Sequence, residues 1–360
     1  MPKILFVASH RPDRSPSQRF RFEQYIGFLE ASGFSCFYSP LVTEQEDRWL
    51  YKQGNLIRKS FFLFKCFFLR WKDLNRANQF DIIFIQREAF LTGSYYFEKQ
   101  FRKSRAKIVF DFDDAIWHLD MSEANRRYGW LKNPDKTGKI IALADRVLAG
   151  NKYLENYALQ FNKKVTLIPT TIDSDKFAPA TGKNETGPVC IGWSGSLTTI
   201  KHFQDAIPFL KLLKDRFHDQ IIFKVIGDAN YSNPDLQIQG IAWNAVTEVE
   251  DLREIDIGIM PLPDDEWAQG KCGLKGLSYM ALEIPTVMSP VGVNTTIIQD
   301  GVNGFLAGSV QEWVAKLTSL IESPDLRKKL GKAGRQTVIS HYSVLSQKEV
   351  YLETLRNLLS

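Results

Sequence analysis

The chain has 360 residues, 44% hydrophobic and 24% charged, and Lys plus Arg exceed Asp plus Glu by 46 to 41, for a net charge of +5. That length is more than one core usually organises and suits two domains. The charge is too mild and too dispersed for a nucleic-acid surface, and no segment approaches the roughly 20 apolar residues of a membrane-spanning helix.

An apolar run without alternation at 4–8 predicts a central parallel strand. The chain enters it directly from Met-Pro-Lys, which predicts no signal peptide and a cytoplasmic setting. Cys36, Cys66, Cys190 and Cys272 have neither CxxC nor metal-ligand spacing and read as reduced thiols. The polar loop at 9–18 carries His10, Arg11 and Arg14, and a helix is predicted from about 17 to 31, with Gly33 as its stop signal. Arg19 and Arg21 fall in its first turn, where the helix dipole disfavours cations; this predicts either an anionic partner or plain exposure to solvent. Further strands are expected at 34–41, 81–86, 106–112 and 146–150, separated by helical patterns, which makes a βαβ series with a parallel sheet.

Within that series the stretch 58–72 mixes bulky apolar residues with five cations. At helical period, positions 61, 62, 64, 68 and 69 make a broad apolar face, with Lys65 and Arg70 outside it. Such a helix either lies in a bilayer interface near anionic headgroups or packs into its own domain with snorkelling cations. The strand at 107–112 runs into Asp113 and Asp114, and alternation puts Asp111 and Asp113 on one side. Acids at a strand's carboxyl end can orient a hydroxyl or accept its proton, hold a divalent cation, or cap the next helix. His118 and Glu88 stand close to such strand ends as weaker candidates.

A polar linker at about 178–188 precedes a second series, with strands at 189–193, 221–227, 237–242, 255–261 and 286–288 and closing helices at 309–322, 325–339 and about 344–359. The predicted organisation is a first Rossmann-like domain at 1–180, a second at 181–342 and a last helix at 343–360. Ile-Gly-Trp-Ser-Gly-Ser (191–196) ends a strand, and its small residues allow backbone to approach a phosphate. Gln269 to Gly292 holds a Gly/Lys loop, a short helix stopped by Pro285 and another strand. A strand, a Gly/Lys loop and a helix start make an anion site to which Lys271 and Lys275 add full charges; the alternative is an ordinary solvated helix start.

The wording of this second half resembles retaining glycosyltransferases of family 4, in Asp-Ile-Gly-Ile-Met-Pro-Leu-Pro (256–263), Gly-Lys-Cys-Gly-Leu-Lys (270–275), Tyr-Met-Ala (279–281), Ile-Pro-Thr-Val (284–287) and Asn-Gly-Phe-Leu (303–306). In the first half, Asp-Asp-Ala-Ile-Trp (113–117) is similar to a segment found in a subset of that family. The resemblance implies the α/β GT-B fold, two doubly wound Rossmann-like domains facing a cleft, and a last helix crossing back to the first domain. It implies transfer, with retention, from a nucleotide-diphosphate sugar as co-substrate to a glycan or lipid-linked acceptor, with no cofactor and no metal. The setting would be surface polysaccharide or glycolipid assembly at the inner face of a membrane. On that basis Lys275 with Asp113 and Asp114 would act at the reaction centre. Gly195, Ser196, Lys201, Gly227, Trp243, Lys271 and Ser278 would line the donor side, and Arg19, Arg21, Glu88, Asp111 and His118 the acceptor side. The chain departs from the family at four places: Trp193 stands where an Arg is common, Glu283 where a Gly is usual, and Gly270 and Ser278 where glutamates are usual. The latter departures leave a catalytically silent nucleotide-sugar-binding module as the rival reading. Asp264, Asp265 or Glu266 could supply the missing carboxylate.

Overall fold

The first apolar run forms β1 (Lys3–His10), in which Ile4 to Ala8 have no exposed surface. A strand covered on both faces does not alternate. The structure, a computed structural model, describes residues 1–52, 54–118, 133–180, 187–196 and 199–360. It divides into two units, Met1–Thr170 together with Lys348–Ser360, and Thr171–Gln347. Residues 181–186 of the expected linker lie outside the described residues.

In the first unit β1 is joined by β2 (Ser35–Val42), β3 (Ile82–Gln86), β4 (Lys107–Phe112), β5 (Arg146–Ala149) and β6 (Val165–Leu167) in a parallel sheet of order β2-β1-β3-β4-β5-β6. Phe6, Phe22 and Phe84 pack together in its core, and Tyr351 of the last helix, Val344–Arg356, stacks on Tyr25 at 4.4 Å. The single helix expected over 17–31 is broken into a turn of helix at Pro16–Arg19, a 3-10 turn at Glu23–Tyr25 and a helix at Ile26–Ala31. Phe20, Arg21 and Phe22 are all buried, and a regular helix cannot turn three consecutive side chains, 100° apart, onto one covered face.

The second unit repeats the plan with β7 (Val189–Ser194), β8 (Ile221–Gly227), β11 (Ile241–Ala242), β12 (Ile257–Met260), β13 (Thr286–Met288) and β14 (Phe305–Leu306), in the order β11-β8-β7-β12-β13-β14. Between β8 and β11 a short antiparallel pair, β9 (Ser232–Asn233) and β10 (Ile238–Gln239), splits the strand expected at 237–242. The break is at Gly240, where an added Cβ would lie 2.0 Å from the Asp228 carbonyl oxygen. Phe209 stacks on Trp313 at 4.6 Å in a core that also holds Ile191, Trp193, Leu210 and Val225. The helix Val310–Glu322 starts with a reciprocal capping box between Ser309 and Glu312.

Both sheets share one topological feature. After the first strand the chain builds outward on one side, then returns to build on the other, so β1 and β3 flank a switch point in one unit and β7 and β12 in the other. Crevices beyond the carboxyl ends of strands at such points are where open α/β sheets bind ligands.

Candidate functional site

At the β7/β12 switch point the chain leaves β7 through Gly195 and Ser196. Glycine is required there by contact: a Cβ on Gly195 would lie 2.2 Å from the Trp193 ring, and one on Gly227 would lie 2.4 Å from the Gly195 carbonyl oxygen. Gly227 also has φ +140°, a backbone that side chains rarely adopt. The Gly195 N–H donates to the Ile226 carbonyl (2.9 Å) and the Ser196 N–H to the Thr199 hydroxyl (2.9 Å). The loop is therefore held from within, and what it offers is small side chains and close backbone. A 3-10 turn, Ile200–Ala206, precedes the helix Ile207–Phe217, so the helix expected near 199 begins later.

Beyond β12 the chain passes Pro261 and Pro263, makes a short helix at Glu266–Gln269 capped by Asp265, and reaches the helix Leu274–Ala281. Gly273 opens that helix with φ +70°. The positive end of its dipole adds to Lys275 in its first turn. Three lysines gather on aromatic rings here. Lys271 Nζ lies 3.2 Å and Lys201 Nζ 5.2 Å from the Trp267 ring centre, and Lys275 Nζ 5.5 Å from that of Trp193. Cation–π contacts hold ammonium groups in place while leaving them charged. His202 stacks on Trp267 (5.1 Å) with its Nε2 buried and without a hydrogen-bond partner. Burial and then the charges of Lys275, Lys201 and Lys271 push its imidazole down to about 4, so it is neutral near pH 7. Tyr279 packs over Gly258, where a Cβ would lie 2.4 Å from its ring, and its hydroxyl accepts the Ser194 N–H at 2.6 Å. That bond ties the Lys275 helix to the end of β7.

The remaining donor-side candidates are placed as follows. The Ser278 hydroxyl donates to the Leu274 carbonyl (2.9 Å) within its own helix and is almost covered. Trp243 donates its indole N–H to Glu248 (3.0 Å). Asp264 accepts from the Gln269 side chain (3.0 Å), Asp265 is the helix cap, and these two acids and Glu266 are exposed.

In the first unit the acids at the end of β4 divide. Asp111 is fully buried and paired with Arg21, which is 2% exposed and also donates to the Ile168 carbonyl. The expectation of Arg21 and Asp111 as acceptor-side groups is corrected: each is occupied by the other and enclosed, so the pair fixes the segment after β1 to β4. Asp113 accepts from Arg87 (2.8 Å), whose terminal nitrogen lies 3.6 Å from Asp114. Arg87 has φ +61°, a left-handed backbone uncommon for a residue with a side chain. Glu88 pairs with Lys136 (2.7 Å), which also donates to the Phe90 and Thr92 carbonyls. His118 Nε2 stands 3.4 Å from the Tyr153 hydroxyl, beside Trp117 stacked on Tyr157 at 3.6 Å. Arg19 is buried with its guanidinium over Phe20 (4.9 Å), not exposed to solvent. In the loop after β1, Arg11 (2.8 Å) and Arg14 converge on Asp47, in the helix Glu44–Leu50 that follows β2.

Sequence reasoning missed Trp267, His202, Tyr279, Arg87 and the Asp47 clamp. Trp267 was legible in part, since a large aromatic in an otherwise polar loop beside a Gly-Lys turn suits cation stacking.

A family model described as Glycosyl transferases group 1 matches residues 188–323. No curated protein matches. Among solved structures, the chain is similar to sucrose-phosphate synthase from Thermosynechococcus elongatus, with a TM-score of 0.72, 13% identity and 99% of each chain covered. It is similar to a glycosyltransferase from Rickettsia africae, with a TM-score of 0.67, 15% identity and coverage of 100% of this chain and 99% of that one. It is also similar to Anabaena HepE in complex with UDP-glucose, with a TM-score of 0.62, 14% identity and coverage of 99% and 100%. These likenesses show the fold: two Rossmann-like units of the GT-B class.

Proposed function

We propose that this protein is a retaining glycosyltransferase that moves a sugar from a nucleotide-diphosphate sugar to a glycan or lipid-linked acceptor, in surface polysaccharide or glycolipid assembly at the cytoplasmic face of a membrane. One observation carries the reading. Lys201, Lys271 and Lys275 gather at the β7/β12 switch point, beside a helix start, inside the segment matched by the Glycosyl transferases group 1 model. That is the chemistry a diphosphate needs.

In the proposed reaction an acceptor hydroxyl oxygen bonds to the anomeric carbon as the bond from that carbon to the diphosphate oxygen breaks. The hydroxyl proton passes to the departing diphosphate. Negative charge grows on that leaving group, and Lys275, Lys271 and Lys201 are assigned to stabilise it, with the dipole of the Leu274–Ala281 helix. The lysines take the role a divalent cation would otherwise fill, and the proposal includes neither metal nor cofactor. Gly195, Ser196, Gly227, Trp243 and Ser278 are assigned to the donor side. Asp113 and Asp114 are assigned to orient the acceptor hydroxyl, with Arg19, Glu88 and His118 on the acceptor side. Arg87 holds Asp113 in place.

One observation favours the silent binding module as a second reading. Ser278 spends its hydroxyl proton on its own helix, and Gly270 has no side chain to replace the usual glutamate. Titration calorimetry with the UDP, GDP and ADP series, followed by an assay for diphosphate release from the sugar that binds, separates the two. Binding with release supports the transferase, and binding without release under any acceptor supports the module. No binding across the series removes both.

A further inference from the structure

The helix Leu56–Asn75 covers one face and displays another. Phe62, Cys66, Arg70 and Asp73 turn inward. The expectation that Arg70 lies outside the packed face is corrected: its guanidinium is fully buried, donates to the Ala8 (2.8 Å), Ser39 (3.1 Å) and Ala89 (2.6 Å) carbonyls, and pairs with Asp73 (2.9 Å). Rolling the helix to cover another face would leave that charge buried without its partners. The expected apolar face therefore divides, with Phe62 and Leu69 toward the fold and Phe61, Phe64 and Phe68 outward.

The outward residues form a stripe. Ile57, Phe61, Phe64, Phe68 and Trp71 follow at alternating spacings of four and three and are between 44% and 75% exposed. They run along about 21 Å of helix. Phe64 and Phe68 touch ring to ring (5.5 Å), as do Phe67 and Trp71 (6.0 Å). Arg58, Lys65 and Lys72 follow one flank at intervals of seven; Arg58 and Lys72 are exposed, and Lys65 is bound to Glu46 at 2.6 Å. The only acid of the helix, Asp73, is buried. A contiguous apolar stripe of this kind on a folded surface marks an interaction site.

We infer that the stripe docks on an anionic lipid bilayer, with the helix flat in the headgroup region, its aromatic rings at the acyl boundary and Arg58 and Lys72 on headgroup phosphates. Charge decides the occupant. A second copy laid against this helix would bring the exposed Arg58 and Lys72 flanks together with no exposed acid of the helix to meet them, whereas an anionic surface complements them. The inference stands apart from the transferase reading, because vesicle binding is scored with neither donor nor acceptor.

The test is flotation of the whole protein with phosphatidylcholine vesicles that do or do not contain roughly a third phosphatidylglycerol. The protein is expected to float with the anionic vesicles, about fivefold less for each of Arg58→Gln and Lys72→Gln. Phe61→Ser, Phe64→Ser and Phe68→Ser together are expected to weaken binding at least about tenfold with the fold unchanged by circular dichroism, since these rings are exposed. Wild-type protein that stays with the soluble fraction overturns the inference, as does binding that the triple variant leaves unchanged. A wild-type dimer that the triple variant makes monomeric gives the stripe to a second copy and also overturns it. If the triple variant misfolds, the two cation variants carry the test, and unchanged binding in both counts against the inference.

Discussion

Arg21 and Asp111 form an ion pair at 2.5 Å with 2% and 0% of the residues exposed, tying the segment after β1 to the carboxyl half of β4. Burial pushes the Asp111 carboxyl up, and the Arg21 guanidinium opposes it. An arginine keeps its charge, so loss of the acid strands a buried cation. Arg21→Met or Asp111→Asn is expected to destabilise the protein by about 3–5 kcal/mol. The double change Arg21→Met with Asp111→Asn is expected to cost clearly less than the sum of the two single changes. Denaturant unfolding of the three variants checks this; additive costs would mean the two side chains do not act as a pair.

The pair also shows where the sequence stops being readable. The central strands were legible because buried parallel strands are mostly apolar: β1 and β3 stand where the runs at 4–8 and within 81–86 put them, and β8 registers at 221–227 although Lys224 interrupts it. Strands of two or three residues carry little pattern of their own: Val165–Leu167 and Phe305–Leu306 do not register, whereas Thr286–Met288 does because Pro285 marks the stop of the helix before it. A short run of arginines is the harder case. Arg11, Arg14, Arg19 and Arg21 look alike in sequence, yet two clamp Asp47, one lies over Phe20 and one is sealed against Asp111. The acids Asp47 and Asp111 are distant in sequence from these arginines, and only the fold brings them together. In the second unit the Gly/Lys loop was legible from composition, while the stacking of its lysines on Trp267 depends on a loop conformation that no periodicity encodes.

The lysine cluster makes a direct prediction for binding. If Lys275 meets a diphosphate, Lys275→Ala removes a charge-assisted contact of about 1.5–3 kcal/mol, or roughly 10- to 150-fold in Kd. Lys271→Ala is expected to act in the same direction. Neither side chain is a core member, so thermal stability is expected to stay close to wild type. Calorimetric titration with nucleoside diphosphates reads the effect. Unchanged affinity in both variants would remove these lysines from the donor site.

His202 predicts a pH dependence of stability with a defined sign. Its folded-state value is pushed down to about 4 by burial first and then by Lys275, Lys201 and Lys271, with Asp265 pulling the other way. An unfolded histidine titrates near 6.5. Between these values the unfolded chain binds the extra proton, so the stabilising contribution is present above about 6.5 and is lost as pH falls toward 4. His10 is pushed down to about 4 as well, by burial and Arg14 first, and adds a slope of the same sign. Melting temperature measured from pH 7 to pH 4.5 is expected to fall, and His202→Gln is expected to flatten the slope without abolishing it, because His10 remains. An unaltered slope in His202→Gln would mean that His202 titrates alike in the folded and unfolded chains, against the downward shift.

Gly227 gives the sharpest test of how the site is held. Its φ of +140° disfavours any side chain, and a Cβ there would press on the Gly195 carbonyl at 2.4 Å, a backbone atom that cannot swing aside. Gly227→Ala is therefore expected to cost at least about 1–3 kcal/mol in backbone strain. It is also expected to displace the Gly195–Ser196 loop, so nucleotide affinity falls together with stability. Gly27→Ala is the control: that glycine lies inside the Ile26–Ala31 helix with nothing within 4 Å of the added Cβ. It is expected to be neutral or stabilising by about 0.4–1 kcal/mol. Thermal melts and nucleotide titration of both variants check the contrast. A Gly227→Ala protein as stable as wild type, with intact nucleotide binding, would show that the β7 and β8 loops do not depend on their close backbone contact.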